Sequence, residues 1–533
     1  MERREFFGSF LATLTAAATL PEIARALEDY MGSLKRELDG ITDDANFWER
    51  AQREFLLQPG LIHFNCGSIG ATPAPIVEAH KAYIDRLEEN PYAQTWSGIG
   101  SGTFDTIQQT AARFLRADTD EVFLTRNTTE GMNLVAGGMR LEPGDEILTT
   151  DHEHPGGVMC WLHMAALHGV RVRQIHLPTP TASKDEILQL VEDGITPRTR
   201  VCSFSHVNTT TGLRMPLAEI AAITRPRDIL LACDGAQVPG MLAVDVKQLQ
   251  VDTYASSSHK WMLAPKGTGL LYVRKEVQDR IRPVSAFASG GGSYYAPYTA
   301  GGGTRNLPVL LAHRDTMTLH NILGRERVEQ RVLQLNAYLR QRLAADVRLT
   351  PVTPEAPELS SAMASYRVRG MAVNTLFDEL KKRDIIIKRT AYNSVLLDND
   401  IPNEHVSIIR LSTHIFNSEA QIDRLAEELA DILGTTTSVG SGSSAPTDFV
   451  LRPNYPNPFN ESTNIRFQLP QAEHVEIAVY NAEGQLVDVL QDGWREAGAH
   501  QLTWNAAERA SGPYFYQVTA GSDREVRKML LLR

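Results

Sequence analysis

The sequence predicts an α/β protein with a large, mostly parallel sheet, then a smaller α+β domain and a C-terminal all-β sandwich. Three observations predict it. From about residue 46 to 320, short apolar runs rich in β-branched and aliphatic residues alternate with helical stretches, as in strand–helix–strand units. A tract of Gly, Ser and Thr, GTTTSVGSGSSAPT at 434–447, then interrupts the chain with residues that cannot bury enough surface to fold. Beyond it the texture changes to short alternating runs separated by turn signals.

The chain opens with MERREFFGSFLATLTAAATLPEIARA, in which Arg3 and Arg4 precede an uncharged stretch from Gly8 to Leu20. Residues 1–30 read either as an export signal, with small residues near Ala24 and Ala26 as cleavage points, or as an ordinary amphipathic helix. The apolar part is too short for a membrane span, and the paired arginines resemble a twin-arginine export signal. In the large domain (46–320), EVFLT (121–125) leads into a helix near Thr128. EILTTD (146–151), RVRQIHL (171–177), RVCSFSHV (200–207), DILLACD (228–234) and TGLLYV (268–273) are further strands, with helices over Ser183–Glu192 and Pro216–Thr224 between them. The smaller domain (321–433) is expected to hold a long helix (Gly324–Leu343), a helix over Val373–Lys382, strands, and a closing helix (Glu419–Leu433). In the last segment (448–533), VEIAVYN, HQLTWN, PYFYQVTA and VRKMLLLR are the strands of the sandwich.

Composition excludes some partners. Acidic residues outnumber basic ones, 64 to 53, and no long basic stretch stands out, so nucleic acid is not expected. Cys66, Cys160, Cys202 and Cys233 are scattered with no CxxC pair, which indicates neither a disulfide framework nor a zinc site. His152 and His154 share one face of an extended segment, a possible metal pair, but no third ligand is evident.

The polar residues that carry chemistry follow apolar runs. CDGAQ puts Asp234 at the end of a buried strand, where a carboxylate is costly unless it meets a cation. SFSHVNTTTG ends with His206, Asn208 and Thr209, and TTDHEHPGG with His152, Glu153 and His154. TRNTTEG starts a helix with Thr128 and Thr129, whose hydroxyls and free N–H groups suit a phosphate. In TYASSSHKWMLAPKGTG (253–269), Lys260 follows Ser257 and His259 and precedes an apolar stretch; a nucleophilic lysine needs its charge suppressed and its position fixed. An anion cradle, a buried carboxylate, an aromatic plate and an amine nucleophile are what pyridoxal 5'-phosphate requires.

On these motifs, residues 46–433 resemble the class V aminotransferases, the fold-type I branch of pyridoxal phosphate enzymes that includes cysteine desulfurases, kynureninases and isopenicillin N epimerase. The resemblance implies that Lys260 is the Schiff-base lysine and that Ser257 and His259 are phosphate donors, along with Thr128 and Thr129. It makes Asp234 the partner of the ring nitrogen, His154 the residue stacked on the ring, and Gln237 a neighbour of the phenolic oxygen. Asn208 and Thr209 compete for a place near that oxygen. In GGGTRN, Thr304 matches a residue that reaches the phosphate of a neighbouring subunit, which implies a homodimer. Arg410 matches the arginine that grips the substrate carboxylate, and FNCGSIG resembles the segment lining the substrate pocket, with Asn65 and Gly67 its members. No metal is implied.

One departure narrows the chemistry. Cysteine desulfurases carry a nucleophilic cysteine after an RTG-like segment; here that segment reads KRTAYNSV (388–395), Ser394 is nearest the slot, and no cysteine follows Cys233. Persulfide chemistry needs a thiolate, so transamination or epimerisation of an amino acid is the expected activity. A C–S or β-elimination lyase is the alternative, and a secreted binding protein with an enzyme-like fold is the rival from another class.

Residues 448–533 resemble the sorting domain of the type IX secretion system, through NYPNPFN (454–460), VYNAEGQLV (479–487), SGPYFYQV (511–518) and the basic terminal run. That implies recognition by secretion machinery and passage through the periplasm to the cell surface or medium. It also favours the export reading of Arg3 and Arg4, since twin-arginine export carries folded, cofactor-loaded proteins.

Overall fold

Strands buried on both faces read as near-continuous apolar runs, and the large sheet shows where each face goes. In the computed structural model, which describes residues 19–92, 100–181, 183–282, 284, 304–392, 406–434, 449–451, 454, 457–496, 498–507, 509–521 and 523–531, the chain divides into two compact units, 1–436 and 437–533. Arg3, Arg4, Ser394 and most of the 434–447 tract lie outside the described residues.

The first unit begins with α1 (Leu20–Asp39), α2 (Asp44–Gln52), β1 (Ile62–His63), α3 (Ala74–Glu89) and α4 (Gly100–Leu115). The alternating part follows as β2 (Val122–Thr125), α5 (Thr128–Gly138), β3 (Glu146–Thr150), α6 (Pro155–His168), β4 (Arg171–Ile175), α7 (Lys184–Gly194), β5 (Thr199–Ser205), α8 (Leu217–Thr224), β6 (Leu230–Asp234), β7 (Thr253–Ser257) and β8 (Gly269–Val273). Seven strands lie in the order β2-β8-β7-β6-β5-β3-β4, and only β8 runs antiparallel to its neighbours. Successive side chains go to opposite layers: Cys202, Phe204, Leu231 and Cys233 join one core, while Val201, Leu230 and Ala232 join the other, beneath α5 and α6. The predicted strands are all present. TYASS, read only for its chemistry, is a strand as well, and Ser257 is its last residue.

The second part of the unit contains α9 (Leu307–Leu323), α10 (Arg325–Leu343), β9 (Leu349–Pro351), β10 (Met363–Val368), α11 (Val373–Lys382), β11 (Ile385–Ile386), β12 (Lys388–Tyr392), β13 (Val406–Ser412) and α12 (Glu419–Gly434). Four of these strands form an antiparallel sheet in the order β12-β13-β10-β9. Two domain boundaries shift. The expected break between 320 and 321 falls inside α9; the chain turns at Gly324, whose φ of 83° suits glycine. The start of the large domain is divided as well, because β1 pairs in parallel with β11 and Phe64 packs in the small-domain core.

The expected 1–30 export segment also needs correction at its C-terminal end. Thr19 and Glu22 form a capping box that starts α1. Leu20, Ile23, Leu27, Met31, Leu34 and Leu38 then make one apolar stripe buried in the main core. Ala24 and Ala26 sit within that packed helix, so cleavage there would remove core residues. No helix among the described residues is long and apolar enough to cross a membrane.

The second unit contains β14 (Val450–Leu451), β15 (Ser462–Leu469), β16 (Glu473–Tyr480), β17 (Leu486–Arg495), β18 (Gly498–Asn505), β19 (Gly512–Ala520) and β20 (Asp523–Leu531). They form sheets β14-β15-β18 and β17-β16-β19-β20 around one core, to which Ile465 and Phe467 contribute from one sheet and Ile477, Tyr516 and Val518 from the other. Within NYPNPFN, Asn457 Oδ1 accepts from Leu530 N (2.9 Å) and Phe459 N donates to Leu530 O (3.0 Å), which ties the motif to the terminal strand.

The burial of α1 yields a direct test. A chain beginning at Leu27 lacks Leu20 and Ile23 and should be less stable than one beginning at Thr19 by about 3–6 kcal/mol, at about 1.5–3 kcal/mol per buried aliphatic side chain. Urea unfolding of the two chains measures this.

Candidate active site

Ligands gather at the carboxyl ends of parallel strands, and the proposed site residues lie there. Asp234 closes β6 and Ser257 closes β7, while His154 and Thr209 lie on the segments that follow β3 and β5. Lys260 follows β7 after a short turn. A cavity of about 460 Å³ opens over these ends, with Gly67, His154, Thr209, Lys260 and Arg410 in its wall.

Lys260 is the pivot of this cavity. Burial pulls its ammonium down to about 8, while the Asp234 carboxylate works in the opposite direction. Asp234 is itself pushed up by burial and held back by a hydrogen bond from Ala236 N to Oδ1 (2.9 Å) and by the charges of Lys260 and His154. No hydrogen bond reaches Asp234 Oδ2 among the described residues. Gly157 in α6 lets the helix pass over this carboxylate, since a Cβ there would stand 2.5 Å from Oδ2. His154 caps α6, its Nδ1 accepting from Gly156 N (3.0 Å), which leaves the exposed ring as part of the cavity wall. Burial and the nearby Lys260 lower its pKa.

Arg410 enters from β13 and is 2% exposed. Its Nη1 donates to Thr209 O (2.8 Å) and Oγ1 (3.0 Å), and its Nη2 to Asn65 Oδ1 and Ser68 Oγ (both 3.0 Å). All four acceptors are neutral, Nε has no partner, and burial lowers the guanidinium to about 10. A buried cation without a carboxylate is costly, so the cavity is built to receive an anion. Gly67 gives these side chains room, since a Cβ would lie 3.0 Å from both Arg410 Nη2 and Gln237 Oε1. Gln237 bonds Gly67 O (3.0 Å) and Thr209 Oγ1 (2.9 Å) through Nε2, and its Oε1 accepts from Trp261 Nε1 (2.8 Å).

Asn208 and Thr209 differ in where their side chains go. Asn208 is spent on its own loop: Oδ1 accepts from Thr210 N and Thr211 N (both 3.0 Å), and Nδ2 donates to His152 O. Thr209 faces the cavity. The phosphate candidates form a second group. Thr128 N donates to Ser257 Oγ (3.0 Å), the two hydroxyls lie 2.9 Å apart, and the buried Nδ1 of His259 has no partner. Thr129 and the exposed Thr304 line a separate cavity of about 1130 Å³ together with Lys266, so Thr304 is not brought to Lys260 within one chain. Among the described residues no group of three or more His, Cys, Asp or Glu side chains is placed to hold a metal ion.

Pyridoxal phosphate fits these residues. The open Oδ2 of Asp234 suits a ring N–H, the unpartnered His259 Nδ1 with Thr128 and Ser257 suits a phosphate, and the Lys260 amine, with its pKa lowered to about 8, suits an aldehyde. The motifs gave no role to three further residues. Ser68 shares Arg410, Lys388 lines the cavity from β12, and Glu153 lines it as well. HEH drew attention to its histidines, yet Glu153 is buried, its Oε1 accepting from Thr150 Oγ1 (2.9 Å) and its Oε2 from Ser205 N (3.0 Å). Burial, and then the neighbouring Asp234, push its carboxyl up to about 8.

A pH effect follows. Glu153 binds a proton in the folded state up to about pH 8 but releases it near 4.5 when unfolded, so its contribution to stability is full below 4.5 and is lost as pH rises through 8. Glu153→Gln keeps both hydrogen bonds, with its amide oxygen toward Ser205 N and its NH₂ toward the Thr150 hydroxyl. The variant should be more stable than wild type at pH 8 by about 1–3 kcal/mol, with the difference shrinking toward pH 5. Thermal unfolding of both proteins across that range checks the sign.

Comparison with known proteins agrees with this geometry. The family model described as Aminotransferase class-V matches residues 70–425, and that of a secretion system C-terminal sorting domain matches 454–532. The chain is 32% identical over 413 residues to isopenicillin N epimerase of Amycolatopsis lactamdurans, covering 73% of this chain and 99% of that protein. It is 24% identical to a probable cysteine desulfurase of Methanothermobacter thermautotrophicus, covering 72% and 98%. Among solved structures it resembles the cystine C–S lyase C-DES in complex with its product cysteine persulfide (26% identity, 70% of this chain and 98% of that one, TM-score 0.61). A C-DES variant with glycine covalently linked to the pyridoxal phosphate cofactor is similar at 25% identity, covering 71% and 99%, with a TM-score of 0.62. The chain belongs to the class-V aminotransferase family of pyridoxal 5'-phosphate enzymes and ends in a secretion-system sorting domain.

Proposed function

We propose that this is an exported enzyme that transaminates or epimerises an amino acid, using Lys260 as its attachment point and base. The observation that carries this reading is a half-buried amine whose pKa is lowered to about 8 and a buried guanidinium that meets no carboxylate among the described residues, both facing one cavity. When bound, pyridoxal phosphate supplies an aldehyde for the amine and a ring that accepts the electrons left at Cα. With a pKa of about 8, roughly one Lys260 in ten is neutral at pH 7, so Nζ is available first as nucleophile and then as the acceptor of the Cα proton. Asp234 offers its charge to the ring nitrogen, His154 walls the ring, and Thr128, Thr129, Ser257 and His259 hold the phosphate. Arg410 takes the α-carboxylate, aided by Asn65 and Gly67, with Thr209 and Gln237 beside it. Return of the proton to the other face of Cα gives epimerisation, and its delivery elsewhere gives transamination.

Desulfurase chemistry is disfavoured by the cysteines themselves. All four are buried, and burial raises every one of their pKa values, Cys66 beside Lys260 included. A β-elimination or C–S lyase is the second reading, favoured by the likeness to C-DES. We also propose a homodimer in which Thr304 serves the partner's phosphate site. Export passes through the periplasm, and the sorting domain directs the chain to the cell surface or medium.

Every one of these outcomes begins with loss of the Cα proton. The holoenzyme should therefore exchange Cα hydrogen of its amino acid with solvent deuterium. Lys260→Ala should slow that exchange by at least about 10³-fold and leave no cofactor fixed after borohydride reduction. Exchange at the wild-type rate in the variant would sink the assignment.

Arg410→Lys should raise KM for the amino acid by about tenfold or more while cofactor affinity changes little, because a point charge replaces a planar fork. Steady-state kinetics beside a cofactor titration separates the two effects.

A further inference from the structure

Lys388 is a cationic cavity residue that the mechanism leaves idle. It lies directly across the antiparallel β12–β13 pair from Arg410. Residues directly opposite on adjacent strands share one face of the sheet, and like charges so placed are destabilising. Alternation along β12 then turns Arg389 outward, where it donates to Asn374 Oδ1 (2.9 Å) and lies over the Phe377 ring. Lys388 and Thr390 are left on the cavity wall.

The acids of the site are engaged elsewhere. Asp234 answers Lys260. Glu153 is held protonated by burial. Asp151 binds His176 Nδ1 (2.6 Å) and Leu177 N (3.1 Å). Among the described residues no carboxylate pairs with Lys388, and its ammonium and Arg410 repel each other. One carboxylate on Arg410 would satisfy only half of this pair.

We propose that Lys388 is a second anion receptor in the pocket and that the substrate is an amino acid whose side chain carries its own carboxylate. This rests on the amino-acid reading above, with Arg410 on the α-carboxylate and Lys388 on the distal one. The sheet register fixes the two cations side by side, so the distal carboxylate has to fold back toward the small-domain sheet rather than extend away from it.

The test is a titration of the holoenzyme with L-aspartate, L-asparagine, L-glutamate and L-glutamine, read as the shift in the cofactor's visible absorbance. In wild type, at least one acid should bind about tenfold or more tightly than its amide, as expected for a charge-assisted hydrogen bond. Lys388→Gln should bring that ratio to about twofold or less, and Lys388→Arg should restore most of it. Equal affinity for acid and amide in wild type, or a ratio that survives Lys388→Gln, overturns the proposal. Equal weakening of all four ligands in Lys388→Gln also overturns it, because Lys388 would then share the α-carboxylate with Arg410. If none of the four perturbs the spectrum while the neutral L-alanine does, only the second receptor is lost. If no amino acid perturbs it, the enzymatic reading fails and takes this inference with it.

Discussion

The arrangement depends on how the backbone around Lys260 is held. Each carbonyl from His259 to Met262 accepts a hydrogen bond from a different place. His259 O takes Gly70 N (2.9 Å), Lys260 O takes Leu263 N (3.2 Å) and Cys66 Sγ (3.5 Å), Trp261 O takes His414 Nε2 (2.8 Å), and Met262 O takes His320 Nε2 (2.9 Å). The tautomer of His414 is fixed, since its Nδ1 accepts from Ile415 N (2.8 Å) and only Nε2 is left to donate. Burial keeps His414 and His320 neutral, with pKa values near 3 and 4, so the clamp holds across the physiological range. Two glycines admit the close approaches. A Cβ at Gly70 would stand 2.1 Å from Lys260 O, and one at Gly240 would stand 2.3 Å from Trp261 O. A nucleophilic amine is useful only if its position is fixed, and this clamp fixes it.

The same contacts explain why the N-terminal segment and the small domain form one site with the large sheet. The segment 62–70 pairs with β11, gives Asn65 and Ser68 to Arg410, gives Gly67 O to Gln237, and gives Gly70 N to the clamp. His414 follows directly on β13, so the strand that delivers Arg410 also steadies the backbone of Lys260. The neutral acceptors around Arg410 orient it without cancelling its charge, which remains for a ligand.

At the far end, the sandwich is a separate compact unit with its own core, and its NYPNPFN motif is spent on anchoring the last strand. At the near end, α1 is part of the enzyme and not of an address label, because its apolar stripe has no other place to go than the main core.

Much of this protein is determined by the sequence alone, and the physical reason is locality. The strands alternating with helices, the helix over Val373–Lys382, the sandwich and the Lys260, Asp234 and His154 motifs each depend on residues within a few positions of one another. Periodicity and turn chemistry therefore reveal the helices and strands, and the motifs are visible as short local runs of residues. The tertiary structure alone decided what depends on distant partners. It set Thr209 rather than Asn208 on the cavity, joined β1 to a strand more than three hundred residues later, and packed residues 20–30, the end of the expected export segment, into the core. It also placed Lys388 opposite Arg410, a pairing set by the β12–β13 register, which no local pattern encodes.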